Sequence, residues 1–559
     1  MLRTFDTHSV RFEKELSDKL WDFSPVAGEH AGKEYKLMVP GCWESHMDLI
    51  NYRGTGVYTN TFEAEGNIRL VFKGASHTAN VYVDGEFAGT HYNAFTAFDV
   101  IVKDLAPGTH TLKVEIDNSF SEDSVLHKEN DYMTYGGLNR GVALEKLGDV
   151  YIKGIRFNPT MKDGVWNASV AVTVANISDK ELAPSLAFEL NGNTYTVGGK
   201  VLAGQETAII EENFVFEGVE PWMMETPNLY LMNMMLSVDG EVVDDLIERV
   251  GFREVTLDGK FILVNGKKIR IKGFNRHEDH AHFGCSLPYA ALVYDMHLIK
   301  DMGANSIRTS HYPNDELFLD LCDECGILVW EEHHARGFDE DYMRLPNFDK
   351  QCCDCIEEMI EQHYNHPSIY IWGILNECAS HTEFGASCYK RQFELIESLD
   401  TSRPRTFASN KHYKDLAFEY PNVISNNMYP EWYFDIDVAE MLQKHLDYLD
   451  EVLHGEVKPF MVSEIGCGGI YGSHSRTHDK WTEEGQVDII KKQVAPILAN
   501  KDCLGVYIWQ FCDVRVTPEW SMKRPRTYNN KGMVDEYRHE KLAYFAVKEM
   551  FEGYSNYID

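Results

Sequence analysis

HPSIYIWGILNECAS, residues 366–380, reads first as a strand and then as a problem. Ile369, Tyr370, Ile371, Trp372, Ile374 and Leu375 leave no polar face, the pattern of a strand buried on both sides. Asn376 and Glu377 follow at once. An unpaired carboxylate at the end of such a strand is expensive to bury. Glu377 therefore either has a structural partner or sits where a buried acid is useful.

The surrounding chain shows what kind of sheet this strand belongs to. From residue 256 onward, short apolar runs alternate with amphipathic helical stretches such as YAALVYDMHLIKDMG and FDKQCCDCIEEMIEQHYNH. Eight strands can be read: 267–274, 304–311, 327–332, 368–377, 403–409, 423–429, 459–464 and 504–511. Eight βα units across residues 256–559 predict a (β/α)8 TIM barrel, which needs about 250 residues. A doubly wound open sheet is the alternative, but no glycine-rich phosphate loop follows the first strand. Upstream, residues 1–155 read as all-β, with alternating runs in RLVFKGASHTANVYVDGEFAG and a turn at Val83-Asp84-Gly85. Residues 156–255 repeat the style and predict a second β-sandwich.

Composition narrows the function. The chain has 559 residues, 44% of them hydrophobic, enough for several cores. Its formal net charge of −35 argues against nucleic acid or an anionic membrane as partner. No run is long and apolar enough to span a bilayer, and the N-terminal stretch lacks the apolar core of a secretory signal. A cytoplasmic location is expected, with the 12 cysteines reduced. Cys322 and Cys325 have zinc-ligand spacing, but LDLCDEC reads as a helix and no second pair follows.

In a barrel, chemistry sits at the C-terminal ends of the strands. Here those ends are unusually polar: Asn275 to Glu278, Arg308 to His311, Glu331 to His334, Asn376-Glu377, Asn426-Asn427, Glu464 and Trp509-Gln510. Glu377 ends the fourth strand and Glu464 the seventh, so the two can face each other across a small ligand. That pair suits glycoside hydrolysis, in which one acid protonates the leaving oxygen and one carboxylate attacks or activates water. The structural alternative for each is a salt bridge to a barrel arginine such as Arg308.

At these residues the chain resembles glycoside hydrolase family 2, the group of β-galactosidases and β-glucuronidases. GFNRHEDH, GANSIRTSHYP, HPSIYIWGILNE and the SE of PFMVSEIG carry the likeness in the barrel. VPGCWE, YVDGEFAG and YGGLNRGVAL carry it in the N-terminal domain. The resemblance implies a jelly-roll domain (1–155), an immunoglobulin-like domain (156–255) and a catalytic barrel (256–559). It implies a retaining double displacement with Glu377 as acid/base, Glu464 as nucleophile and Asn376 bonded to the sugar 2-hydroxyl. An acid catalyst must hold its proton near neutrality, and the apolar strand and the neighbouring Glu464 would both favour that.

RPRTYNNKGMVDEYR, residues 524–538, discriminates the sugar. Asn529 and Lys531 resemble the Asn-x-Lys motif with which β-glucuronidases grip the substrate carboxylate. A uronic acid is charged at C6, and a lysine offers it a point charge. An ordinary surface turn is the alternative. The resemblance also assigns substrate contacts to Asp131, His277, Asn427, Tyr429, Tyr433 and Trp509. HEDHAH and His333-His334 lack a clear ligand spacing, and the resemblance implies no metal or other cofactor. Two departures stand out. The loop 331–348 is short, which predicts an open mouth. Arg336 stands where an apolar residue is expected. A guanidinium near C4 would favour galacturonides, whose 4-hydroxyl is axial. The alternative is a salt bridge to Asp339 or Glu340. The expected substrate is a small or oligosaccharide uronide, with a lean toward galacturonides. A strict β-glucuronidase, and more remotely a β-galactosidase or a non-catalytic carbohydrate-binding protein, are the alternatives. Family likeness adds a homo-oligomer, a tetramer or dimer.

Overall fold

The computed structural model describes residues 1–558. Its first unit is an eight-stranded antiparallel sheet folded as a jelly roll, in which the long strands Thr55–Phe72 and Phe98–Asp117 pair along their length. Alternation sets the core: Ala79, Val81 and Val83 of Thr78–Val83 point inward and their neighbours do not. Asp84 and Gly85 then turn the chain with φ of 51° and 88°, the left-handed pair that a tight hairpin needs. Trp21, Trp43, Tyr58 and Leu70 are buried in this core.

The second unit packs a three-stranded sheet (Val150–Lys162, Val165–Asn176, Thr207–Phe216) on a four-stranded one (Ser185–Leu190, Asn193–Gly199, Tyr230–Val238, Glu241–Val250). Val170, Val172, Val174, Phe188, Met234 and Phe252 fill the space between them.

The third unit is a closed eight-stranded parallel barrel: Ile271–Asn275, Ser306–Arg308, Leu328–Glu332, Ile369–Ile374, Arg405–Ser409, Ile424–Asn427, Phe460–Ile465 and Gly505–Ile508. All eight strands read from sequence are present, seven of them shorter than the run read for them and the seventh, Phe460–Ile465, equal in length and shifted by one residue. Lys267–Lys268, expected to open the first strand, instead pairs antiparallel with Phe261–Val264 in a small separate sheet. Ile262 and Val264 of that sheet share a core cluster with Trp330, Tyr370 and Tyr507 of the barrel. Cys322 and Cys325 lie on the helix Glu316–Cys325, as their apolar spacing suggests. No helix among the described residues is long and apolar enough to cross a membrane.

Candidate active site

The fourth strand ends at Ile374, three residues before the expected end. Leu375 and Glu377 both have positive φ, 34° and 56°. Such backbone is costly for residues with a Cβ and recurs at functional sites. It lifts Glu377 out of the strand and leaves it partly exposed at the mouth, where a fully buried end was expected. The Glu377 amide still bonds the Ala408 carbonyl at 2.9 Å. Asn427 Nδ2 donates to Glu377 Oε1 at 2.8 Å and, in turn, Ser463 Oγ donates to Asn427 Oδ1 at 2.7 Å.

Glu464 is buried and doubly held. Arg308 donates to its Oε1 at 2.9 Å and the Tyr429 hydroxyl to its Oε2 at 2.7 Å. Burial and the neighbouring Glu377 raise its pKa, while Arg308 and Tyr429 pull it back. The salt-bridge alternative is thus met for Glu464 but not for Glu377. Arg308 does not depend on Glu464 for neutrality. It also makes two 2.8 Å bonds to Glu332, and it bonds Asn275 and Asn376 at 2.9 Å each. One buried guanidinium therefore orients both Glu464 and Asn376.

Lys531 lies at the end of a short hairpin and is only 3% exposed. Its ammonium donates to the Tyr433 hydroxyl at 2.7 Å and sits 4.8 Å and 4.6 Å from the ring centroids of Tyr429 and Tyr433. No carboxylate lies within salt-bridge reach of it among the described residues. The surface-turn alternative therefore fails. Although burial pushes the other way, Lys531 draws the Tyr433 phenol below its ordinary pKa.

Asn529 Nδ2 donates to Asp131 Oδ2 at 3.1 Å, and Arg524 Nε donates to Asp131 Oδ1 at 2.7 Å. The jelly roll thus reaches into the barrel mouth, and both Asp131 oxygens are engaged by protein. Asn130 fastens the same loop, with its amide bonded to Thr517 Oγ1 at 3.0 Å. Arg524 and Asn130 escaped the sequence reading. Arg524 carried a signal, since it is a basic residue in the same short segment as Asn529.

His277 bonds the Tyr312 hydroxyl at 3.1 Å, and burial together with Arg336 and Arg308 keeps its imidazole neutral. Trp509 stacks on His311 at 5.1 Å and meets His277 edge-on at 5.4 Å. The HEDHAH acids are already committed. Glu278 accepts from Arg140 at 2.8 Å, and Asp279 from Tyr135 at 3.1 Å.

Arg336 is not paired with Asp339 or Glu340. Asp339 caps the following helical turn by accepting from the Tyr342 amide at 3.0 Å, and Glu340 pairs with Arg344. Instead the Ala335 and Gly337 backbones bond to Asn376, at 3.0 Å and 2.8 Å. This bridge places Arg336 beside the end of the fourth strand, with its guanidinium donating to the Asn130 side chain. Burial opposes its charge, but Glu377 and Asp131 raise its pKa. Buried polar atoms without a protein partner cluster here: Asn376 Nδ2, Asn529 Oδ1, His277 Nε2 and Arg336 Nε.

Comparison with known proteins agrees along the length of the chain. The model of the glycosyl hydrolases family 2 TIM barrel domain matches residues 255–556. The models of glycosyl hydrolases family 2 and of the family's galactose-binding-like domain match 150–253 and 44–153. A β-glucuronidase of Streptococcus agalactiae is 27% identical over 96% of both chains. That of Chlorocebus aethiops is 30% identical over 81% of this chain and 70% of its own. Among solved structures, a family 2 β-galacturonidase from Eisenbergiella tayi bound to galacturonate superposes with a TM-score of 0.98. It is 52% identical and covers 100% of both chains.

Proposed function

The chain belongs to glycoside hydrolase family 2, and on that footing we propose that it is a retaining exo-β-uronidase that leans toward galacturonides. The observation that carries the uronide is Lys531. A buried ammonium held by one phenol and two aromatic faces is incompletely satisfied, and a substrate carboxylate completes it. A neutral galactoside offers no such partner. Asn529, fixed by Asp131, adds a neutral contact beside it.

In this reading Glu377 donates its proton to the glycosidic oxygen as the C1–O bond breaks. Glu464 attacks C1 and forms the glycosyl-enzyme. Water, deprotonated by the now anionic Glu377, then displaces Glu464. Asn376, oriented by Arg308, bonds the sugar 2-hydroxyl, and Trp509 walls the sugar site. Freedom from Asp339 and Glu340 leaves Arg336 available to the 4-hydroxyl, which supports the lean toward galacturonides. The E. tayi neighbour supports it too. We also propose a cytoplasmic homo-oligomer.

The test is kcat/KM on p-nitrophenyl β-galacturonide and β-glucuronide side by side, with the β-galactoside as control. The expected order is galacturonide, then glucuronide, with no turnover of the galactoside. Preference for the glucuronide overturns the C4 assignment, and turnover of the galactoside overturns the role of Lys531.

A further inference from the structure

The cleft outside Glu377 carries three lysines that the sugar site does not use, beside Arg336, which borders both. Lys128, Arg336, Lys411 and Lys523 line a cavity of about 480 Å3 together with Glu129, Glu377 and Trp520. This cavity meets the catalytic groups at Glu377, and neither Glu464 nor Lys531 lines it. It therefore lies on the side from which the leaving group departs.

Each of the four cations is held in place by a neutral group. Lys128 Nζ donates to the Gly337 carbonyl at 3.3 Å and lies 4.4 Å from the Phe338 ring centroid. Lys411 Nζ donates to the Glu377 carbonyl at 3.2 Å. Lys523 Nζ sits 4.2 Å from the Trp520 ring centroid. Arg336 donates to the Asn130 side chain. Among the described residues none of the four has a carboxylate within salt-bridge distance. Glu519, also in the cleft, is taken by Arg53 at 2.6 Å. Carbonyls and aromatic faces position a cation without neutralising it. In a chain with 88 acidic and 53 basic side chains, the cations of this cleft outnumber its acids Glu129, Glu377 and Glu519, the last already paired, so it has the opposite sign to the whole. Such local fields select and steer anionic ligands.

We propose that this cleft is a leaving-group subsite for an acidic sugar, so that the preferred substrate is a uronide linked to a second uronic acid. The proposal rests on the uronidase reading and adds the leaving group to it. The orientation is fixed by Glu377, whose proton must reach the oxygen shared by the two sugars. Lys128 is supplied by the jelly roll and Lys523 by the loop after the eighth barrel strand.

Three substrates test it: a β-linked hexuronosyl-uronic acid disaccharide, the same disaccharide with the leaving sugar's carboxylate reduced to the alcohol, and the p-nitrophenyl uronide. The acidic disaccharide is expected to exceed the reduced one in kcat/KM by about tenfold at low salt, shrinking toward equality at high salt as the cations are screened. The double variant Lys128→Gln, Lys523→Gln should bring that ratio below about threefold. Should it fail to fold, the salt series on the unaltered enzyme decides alone. Equal rates on the two disaccharides, with the p-nitrophenyl uronide turned over, overturn the subsite and leave the uronidase reading standing. No turnover of any of the three overturns both.

Discussion

Asn529 Nδ2 donates to Asp131 across 3.1 Å, joining the loop after the eighth barrel strand to the jelly roll. Arg524 closes the same contact from the other carboxylate oxygen. The N-terminal domain therefore reaches the mouth of the barrel. Asp131→Ala is expected to release Asn529 and leave Arg524 without its acid. The predicted loss in kcat/KM on uronides is about tenfold or more, from one charge-assisted pair and one hydrogen bond. Unaltered kinetics would reduce Asp131 to a domain fastener.

Glu464→Gln keeps an oxygen able to accept from Arg308 or Tyr429, so the fold should survive. Turnover should fall by at least about a thousandfold, because the amide cannot form the glycosyl-enzyme. Steady-state kinetics beside a thermal melt separates chemistry from folding. Undiminished turnover removes Glu464 as nucleophile.

Tyr429→Phe tests how Glu464 is tuned. A nucleophilic carboxylate must be ionised, so the acidic limb of the kcat/KM profile is expected to follow Glu464. Burial raises the Glu464 pKa and the Tyr429 hydroxyl lowers it. Removing the hydroxyl should move the acidic limb to higher pH. A limb that stays put, or moves down, contradicts that tuning.

Lys531→Ala should cost uronide kcat/KM about a hundredfold, the worth of a desolvated charge partner. The effect belongs to the charge, so Lys531→Arg should recover part of it, limited by the bulk of a guanidinium between Tyr429 and Tyr433. A loss under about threefold is too small for a buried ion pair and excludes Lys531 from carboxylate binding.

Arg336→Ala should lower galacturonide kcat/KM about tenfold more than glucuronide kcat/KM, since the substrates differ only at C4. Equal losses would make Arg336 a brace for Asn130, its observed partner.

What was legible in the sequence followed a local rule. Apolar runs of strand length alternating with amphipathic helices gave the barrel. Polar residues at the strand ends located the mouth, and Lys531 was marked by the Asn-x-Lys likeness rather than by any local pattern of its own. The rule failed at the ends of elements. Glu377 was read as the end of a strand, yet the strand stops at Ile374 and a left-handed turn displays the carboxylate. Periodicity reports which residues are apolar, not where the sheet's hydrogen bonds stop.

By itself the sequence determined the order of the domains, the eight strands and the two glutamates that face the mouth, because each is written in short-range patterns of burial. Only the tertiary structure decided the partners. It bound Asp131 to Arg524 across 393 positions of chain, tied the Arg336 loop to Asn376, and gathered Lys128 and Lys523 around one cleft. These contacts form between elements far apart along the chain, where side-chain charge and hydrogen bonding choose among neighbours that only the folded backbone brings within reach.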